Sequence, residues 1–170
     1  MVRLEHVLDT WKAVRHDTVA AVEDFPADQF SYRPTADVMT FGEIAHHILN
    51  AGHGLAGLLL DGEVNFTGPD FRQRVTRHLP DIPPSASPSE LAAALTESID
   101  KRCTELASKP SEFYAQIVTR MDGVKLTRLE MLQSIKEHEL THRAQLFAYM
   151  RLNGLVPATT RRRLAKQAGK

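Results

Sequence analysis

Residues 138–142 read His-Glu-Leu-Thr-His. This is the H-E-x-x-H string, in which two histidines one helical turn apart hold a metal and the glutamate acts as base. Three readings are open: a metalloprotease, another kind of metal site, or two histidines placed by chance. With eight histidines in the chain, an i,i+4 pair arises by chance in roughly a third of such sequences, so the pair alone decides little. Its surroundings decide more. Met131, Leu132, Ile135, Leu146 and Tyr149 mark one face of a helix, and His138 and His142 fall on that face. Their Cβ atoms would stand roughly 6 Å apart, and each buried ring needs partners for its nitrogens. A second stripe, Ile44, Ile48, Ala51 and Leu55, carries His47 in the same way. Where two such faces meet, three neutral imidazoles form a facial set on a divalent ion, with positions left for water or substrate. His47, His138 and His142 are the expected metal ligands.

The protease reading is weaker than the string. It needs a third ligand downstream, and no histidine or glutamate follows His142. Glu139 lies one residue from His138 and so points about 100° off the metal face. It is expected to be a surface or interface carboxylate paired with Arg143. His53 is read as a cavity group near the site and is the one candidate catalytic base. His46, His6, His16 and His78 are read as surface residues.

The elements that must position these residues follow from periodicity and punctuation. Leu4, Val7, Leu8, Trp11, Val14, Thr18, Val19 and Val22 predict a first helix from about Arg3 to Asp24, ended by Pro26. Thr40-Phe-Gly-Glu43 is a capping box that opens a second helix, which runs to Leu60 and is stopped by Asp61-Gly62. Gly52, Gly54 and Gly57 each cost that helix roughly 1 kcal/mol relative to alanine, so close packing of another helix or of a ligand is expected there. Ser87-Pro-Ser-Glu90 opens a third helix that runs to Ser108, and Thr127-Arg-Leu-Glu130 opens a fourth that ends at Asn153-Gly154. The connection 62–87 is rich in Pro, Gly and charge, and connections this long are either functional or mobile. Residues 112–126 are either a short strand pair around Asp122-Gly123 or an irregular crossover. The fold class is all-α, a four-helix bundle with a long crossover connection. Residues 1–157 form its single domain, and 158–170 are a basic, solvated tail.

The chain has 170 residues, with 21 basic and 21 acidic side chains. That balance argues against a nucleic-acid partner, and no apolar run approaches the roughly 20 residues of a membrane span. One cysteine, Cys103, makes no internal disulfide. With no apolar leader, this favours a cytoplasmic setting. Cys103 lies in a helical pattern and is read as a half-buried structural residue.

"HELTHRAQLFAYMRLNGLVP" resembles the C-terminal signature of the DinB-like (DinB/YfiT) bundle proteins. "TFGEIAHHI" is similar to that family's second-helix motif, and "FPADQFSYRP" to the loop after its first helix. Ala144 stands where the family usually has Gly. The resemblance covers nearly the whole chain. It implies a four-helix bundle, often homodimeric, and a divalent ion (Zn, Ni, Fe or Mn) on three histidines that match His47, His138 and His142. It also implies transfer chemistry with a low-molecular-weight thiol such as bacillithiol, mycothiol or glutathione. The expected function is therefore a metal-dependent thiol S-transferase acting on a small electrophile. The alternatives are a metal-dependent hydrolase and a non-catalytic metal- or ligand-binding stress protein. Arg33, Arg143 and Arg151 are candidate contacts for the carboxylates of the thiol.

Overall fold

The structure, a computed structural model, describes residues 2–169. Its elements in chain order are α1 (Leu4–Asp24), α2 (Phe41–Leu60), α3 (Phe71–Thr76), α4 (Pro88–Ala107), α5 (Ser111–Ala115), β1 (Ile117–Thr119), β2 (Lys125–Thr127), α6 (Arg128–Leu152) and α7 (Ala158–Ala168). The four long helices α1, α2, α4 and α6 are the four expected ones. All three capping boxes form: Thr40, Ser87 and Thr127 each accept from the backbone N–H three residues on, and Glu43, Glu90 and Glu130 reach back. The strand pair exists as an antiparallel ladder with Val118 opposite Leu126, closed by a turn with Gly123 at φ +83°.

α1 packs against α4 and α6, and α2 against the same two helices. Two apolar clusters fill the interior. One gathers Val7 and Trp11 of α1, Leu55 and Leu59 of α2, Ile99 and Leu106 of α4, and Met131 and Ile135 of α6. The other takes Ala21 and Val22, Ile44 and Leu49, Leu91 and Leu95, and Leu146 and Met150 from the same four helices. Chain order through these clusters fixes direction: α1 and α6 run one way, α2 and α4 the other. α2 therefore ends at the opposite end of the bundle from the start of α4. A helix of 20 residues spans about 30 Å, so the connection must travel the length of the bundle. This is why 62–87 is long.

The connection is built rather than loose. It carries α3, and it packs onto the α2 glycines. A Cβ on Gly54 would stand 2.7 Å from Val75 Cγ1, and one on Gly57 2.6 Å from His78 Cγ. His78, expected on the surface, lies over Gly57 and reaches Asp61 at 3.0 Å. Arg74 ties Glu63 and the carbonyls of Asn65 and Thr67 together. Thr119 accepts from Phe66 N and donates to Val64 O, which joins the connection to β1.

The tail differs from expectation in being helical. In α7, Arg161 pairs with Asp24 and Arg162 with Asp17, so basic side chains strap it to the acidic side of α1.

Candidate metal centre and its pocket

Between the two apolar clusters lies a polar band. Glu139 is 1% exposed, and four hydrogen bonds from α1 reach it. Oε1 accepts from Arg15 Nε at 2.7 Å and from Thr18 at 3.1 Å. Oε2 accepts from Trp11 Nε1 at 2.7 Å and Arg15 Nη2 at 2.9 Å. Arg15 also donates to Leu95 O of α4 at 2.9 Å, and its Nη2 would lie 2.9 Å from a Cβ on Gly52 of α2. The ion pair thus touches all four long helices. The expectation of a surface carboxylate paired with Arg143 is corrected: Arg143 binds Asp17 at 3.1 Å. Glu139 does lie off the histidine face, as the 100° offset requires, but α6 is covered on two sides. One face meets α2 and the next meets α1, whose Trp11, Arg15 and Thr18 share a helical face.

The face of α6 toward α2 carries the histidines. His138 Nε2 lies 3.2 Å from His47 Nε2 and 3.2 Å from His142 Nε2. Ligand atoms bound tetrahedrally at 2.0–2.1 Å stand about 3.3 Å from one another, so three converging Nε2 atoms fit one ion. Burial holds His138 neutral, with its pKa lowered to about 4, and the neighbouring His142 and His47 add to that shift. Burial lowers His47 as well. At these distances the ring nitrogens either share a proton in one tautomer or offer their lone pairs together to a cation in another. His142 Nδ1 donates to Gln145 Oε1 at 2.7 Å, which leaves its Nε2 free as a ligand atom. Among the described residues, the cluster that could hold a metal is the expected one: His47, His138 and His142.

His47 and His138 line a cavity of about 400 Å³. Asn50, Ala51 and Leu55 of α2 form one wall, and Met131, Ser134 and Ile135 of α6 another. The crossover closes it with Phe71, Arg72, Val75 and Leu79, and the hairpin turn adds Arg120 and Met121. No carboxylate stands among these residues. Arg33, Arg143 and Arg151, expected to supply positive charge, are elsewhere: Arg151 donates to Thr160 at 2.9 Å and Arg143 faces α1. Arg72 and Arg120 take that place. Neither was read from the sequence, because the crossover and the hairpin reach the site only through the tertiary fold. Gln145 was missed too, although its spacing of three from His142 was a legible signal.

His53 does not join the pocket. It is buried against α4, with Nδ1 2.8 Å from Ser98 Oγ, and it lines a separate cavity with Pro80, Asp81 and Lys101. Burial and the nearby Arg102 lower its pKa to about 4. It is not placed to act as base on a molecule at the histidine cluster. Cys103 is 2% exposed, more buried than expected, and burial pushes its thiol up to about 11.

The family model described as the DinB family matches residues 1–169. The chain belongs to the DinB family. YjoA of Bacillus subtilis (strain 168) is 24% identical over 154 residues, covering 91% of this chain and 93% of YjoA. The crystal structure of that DinB-like protein matches at TM-score 0.68, over 88% of this chain and 92% of its own. YfiT of Bacillus subtilis matches at TM-score 0.69 and 18% identity, over 89% and 88% of the two chains. It is described as a probable metal-dependent hydrolase with an unusual four-helix bundle topology. The mycothiol-dependent maleylpyruvate isomerase matches at TM-score 0.62 and 13% identity, over 85% of this chain and 61% of its own. At these identities the structural likenesses establish the fold of this DinB protein. Among the described residues no helix is long and apolar enough to cross a membrane.

Proposed function

We propose that this DinB protein is a divalent-metal enzyme that uses a low-molecular-weight thiol, of the bacillithiol, mycothiol or glutathione type, to attack a small electrophile. His47, His138 and His142 would hold the ion. When bound there, the ion supplies Lewis acidity that keeps a sulfur nucleophile deprotonated at neutral pH. The observation that carries the reading is the cavity: the histidine cluster opens into an apolar space of about 400 Å³ that has arginines and no carboxylate.

That lining favours sulfur over water. Hydrolysis needs a group that moves protons between water and the leaving group. Glu139 cannot serve, since both its oxygens are taken by α1. His53 is turned toward Ser98. A thiol whose proton has already left needs no such base. Nor can the protein supply the sulfur itself, because Cys103 is buried and its thiol is held protonated. The description of YfiT as a probable hydrolase keeps metal-dependent hydrolysis as the second reading. A small-molecule substrate, a cytoplasmic setting and a homodimer belong to the leading one.

The test has two parts. Protein purified without added metal is analysed for bound ions, and one divalent ion per chain is expected, lost in His142→Ala. The loaded protein is then assayed for conjugation of each thiol to 1-chloro-2,4-dinitrobenzene. Full metal content in His142→Ala would remove the three-histidine site. Turnover of ester or amide probes with no thiol dependence would move the function to hydrolysis.

A further inference from the structure

We propose that Arg120, at the tip of the β1–β2 hairpin, is a carboxylate-binding subsite of the metal pocket, so that the molecule processed there is a small organic acid with an apolar body. This deepens the reading above and rests on it.

The hairpin tip is rigid. Arg120 N donates to Val124 O at 2.9 Å, and Gly123 N donates to Arg120 O at 2.8 Å. Gly123 takes the left-handed conformation that the turn requires. Asp122 Oδ1 accepts from Val124 N at 3.2 Å, which fixes the carboxylate against the turn. That carboxylate grips one edge of the guanidinium: Nε donates to Oδ1 at 3.0 Å and Nη2 to Oδ2 at 2.6 Å. Nη1 reaches Ser134 Oγ on α6 at 3.4 Å. Ser134 gives its own proton to Glu130 O, so its oxygen is left to accept from Arg120.

A guanidinium has five N–H donors in a fixed plane. Asp122 takes two and Ser134 one, so two remain, one on each terminal nitrogen. Arg120 lines the cavity, and its side chain keeps 34% of its exposure despite these contacts. A preset fork with two spare donors matches a carboxylate or another planar oxyanion. Arg72 adds a second positive charge to the same lining, which has no carboxylate of its own and leaves the pair of arginines with a net positive charge after Asp122 offsets one of them. Apart from Asn50 and Thr76, the rest of the wall is apolar: Leu55, Phe71, Val75, Met131 and Ile135 among others. Met121, 50% exposed, and Leu79, 38% exposed, stand at its rim. The pocket thus offers an ion site at one place, an arginine fork at another and hydrocarbon between. That set of surfaces suits a short apolar acid better than a sugar, a peptide or a cation.

A carboxylate could bind the metal ion instead, so the test must separate the two. Metal-loaded protein is titrated calorimetrically with 4-phenylbutyrate and with its neutral amide. The acid is expected to bind at least tenfold more tightly. In Arg120→Gln that preference should fall to within about twofold, with metal content unchanged, and Arg120→Lys should restore part of it. A purely structural role for Arg120 would weaken acid and amide together and leave their ratio alone. A preference that survives in Arg120→Gln would place the anion on the ion and overturn the subsite, and so would equal binding of acid and amide by the parent. If the parent takes up no divalent ion yet shows an Arg120-dependent preference, the metal reading fails and the subsite stands.

Discussion

Glu139 looks like the catalytic glutamate of an H-E-x-x-H protein, and its environment removes it from that role. A base needs a free lone pair within reach of the substrate. Here four donors from α1 occupy both oxygens, and the carboxylate faces away from the cavity. Its role is structural. The residue before it in sequence, His138, belongs to the three-histidine cluster, so the ion pair with Arg15 holds the rotation and height of α6 there. Breaking a buried pair from one side leaves a charge with no partner, which costs about 3–5 kcal/mol. Glu139→Gln should therefore lower unfolding free energy by about 3 kcal/mol or more in chemical denaturation, while the folded variant is expected to bind divalent metal as the parent does. A destabilisation under about 1 kcal/mol would show that Arg15 finds another partner and that the band is not held as described.

α2 is a poor helix by propensity and a good one by context. Its glycines cost roughly 1 kcal/mol each, yet it is the most buried of the long helices, because the crossover lies directly on it. At Gly57 a methyl would meet the root of the His78 side chain at 2.6–2.7 Å, which rotation cannot relieve. At Gly54 it would meet the branched end of Val75, which can turn. Gly57→Ala is expected to lift the crossover off α2 and open the pocket wall. Limited proteolysis should then cut between residues 63 and 80 at least tenfold faster than in the parent, with the bundle itself intact. Gly54→Ala should change that rate much less. Equal protection of the crossover in parent and Gly57→Ala would mean that the close approach does not hold it down.

At the level of the molecule, opposite directions of helix pairs α1/α6 and α2/α4 dictate the rest. They force the crossover along the bundle, and the crossover in turn roofs the cavity at the histidine cluster. The family resemblance adds an expectation of self-association. Sedimentation at micromolar concentration should give a species near twice 19.0 kDa, and a single species at 19.0 kDa would refute the homodimer.

Local signals were legible because their physics is local. Three capping boxes, the helical stripes and the pairing of His138 with His142 all depend on residues within a turn or two of one another, and the capping boxes and stripes form where the sequence put them; of the two readings open for residues 112–126, the structure takes the strand pair. That His47 shares a core face with His138 and His142 was readable from periodicity, since a stripe shows which side of a helix is inward. What a stripe does not show is how many sides are inward. Glu139 was misplaced for that reason: a helix wedged between two neighbours buries a second face, and a charge there is tolerated only because Arg15, more than a hundred residues away in sequence, meets it. His53 and the pocket arginines follow the same logic. Which cavity a side chain enters, and which loop folds over it, is set by packing between distant segments, whose energy has no local trace in the chain.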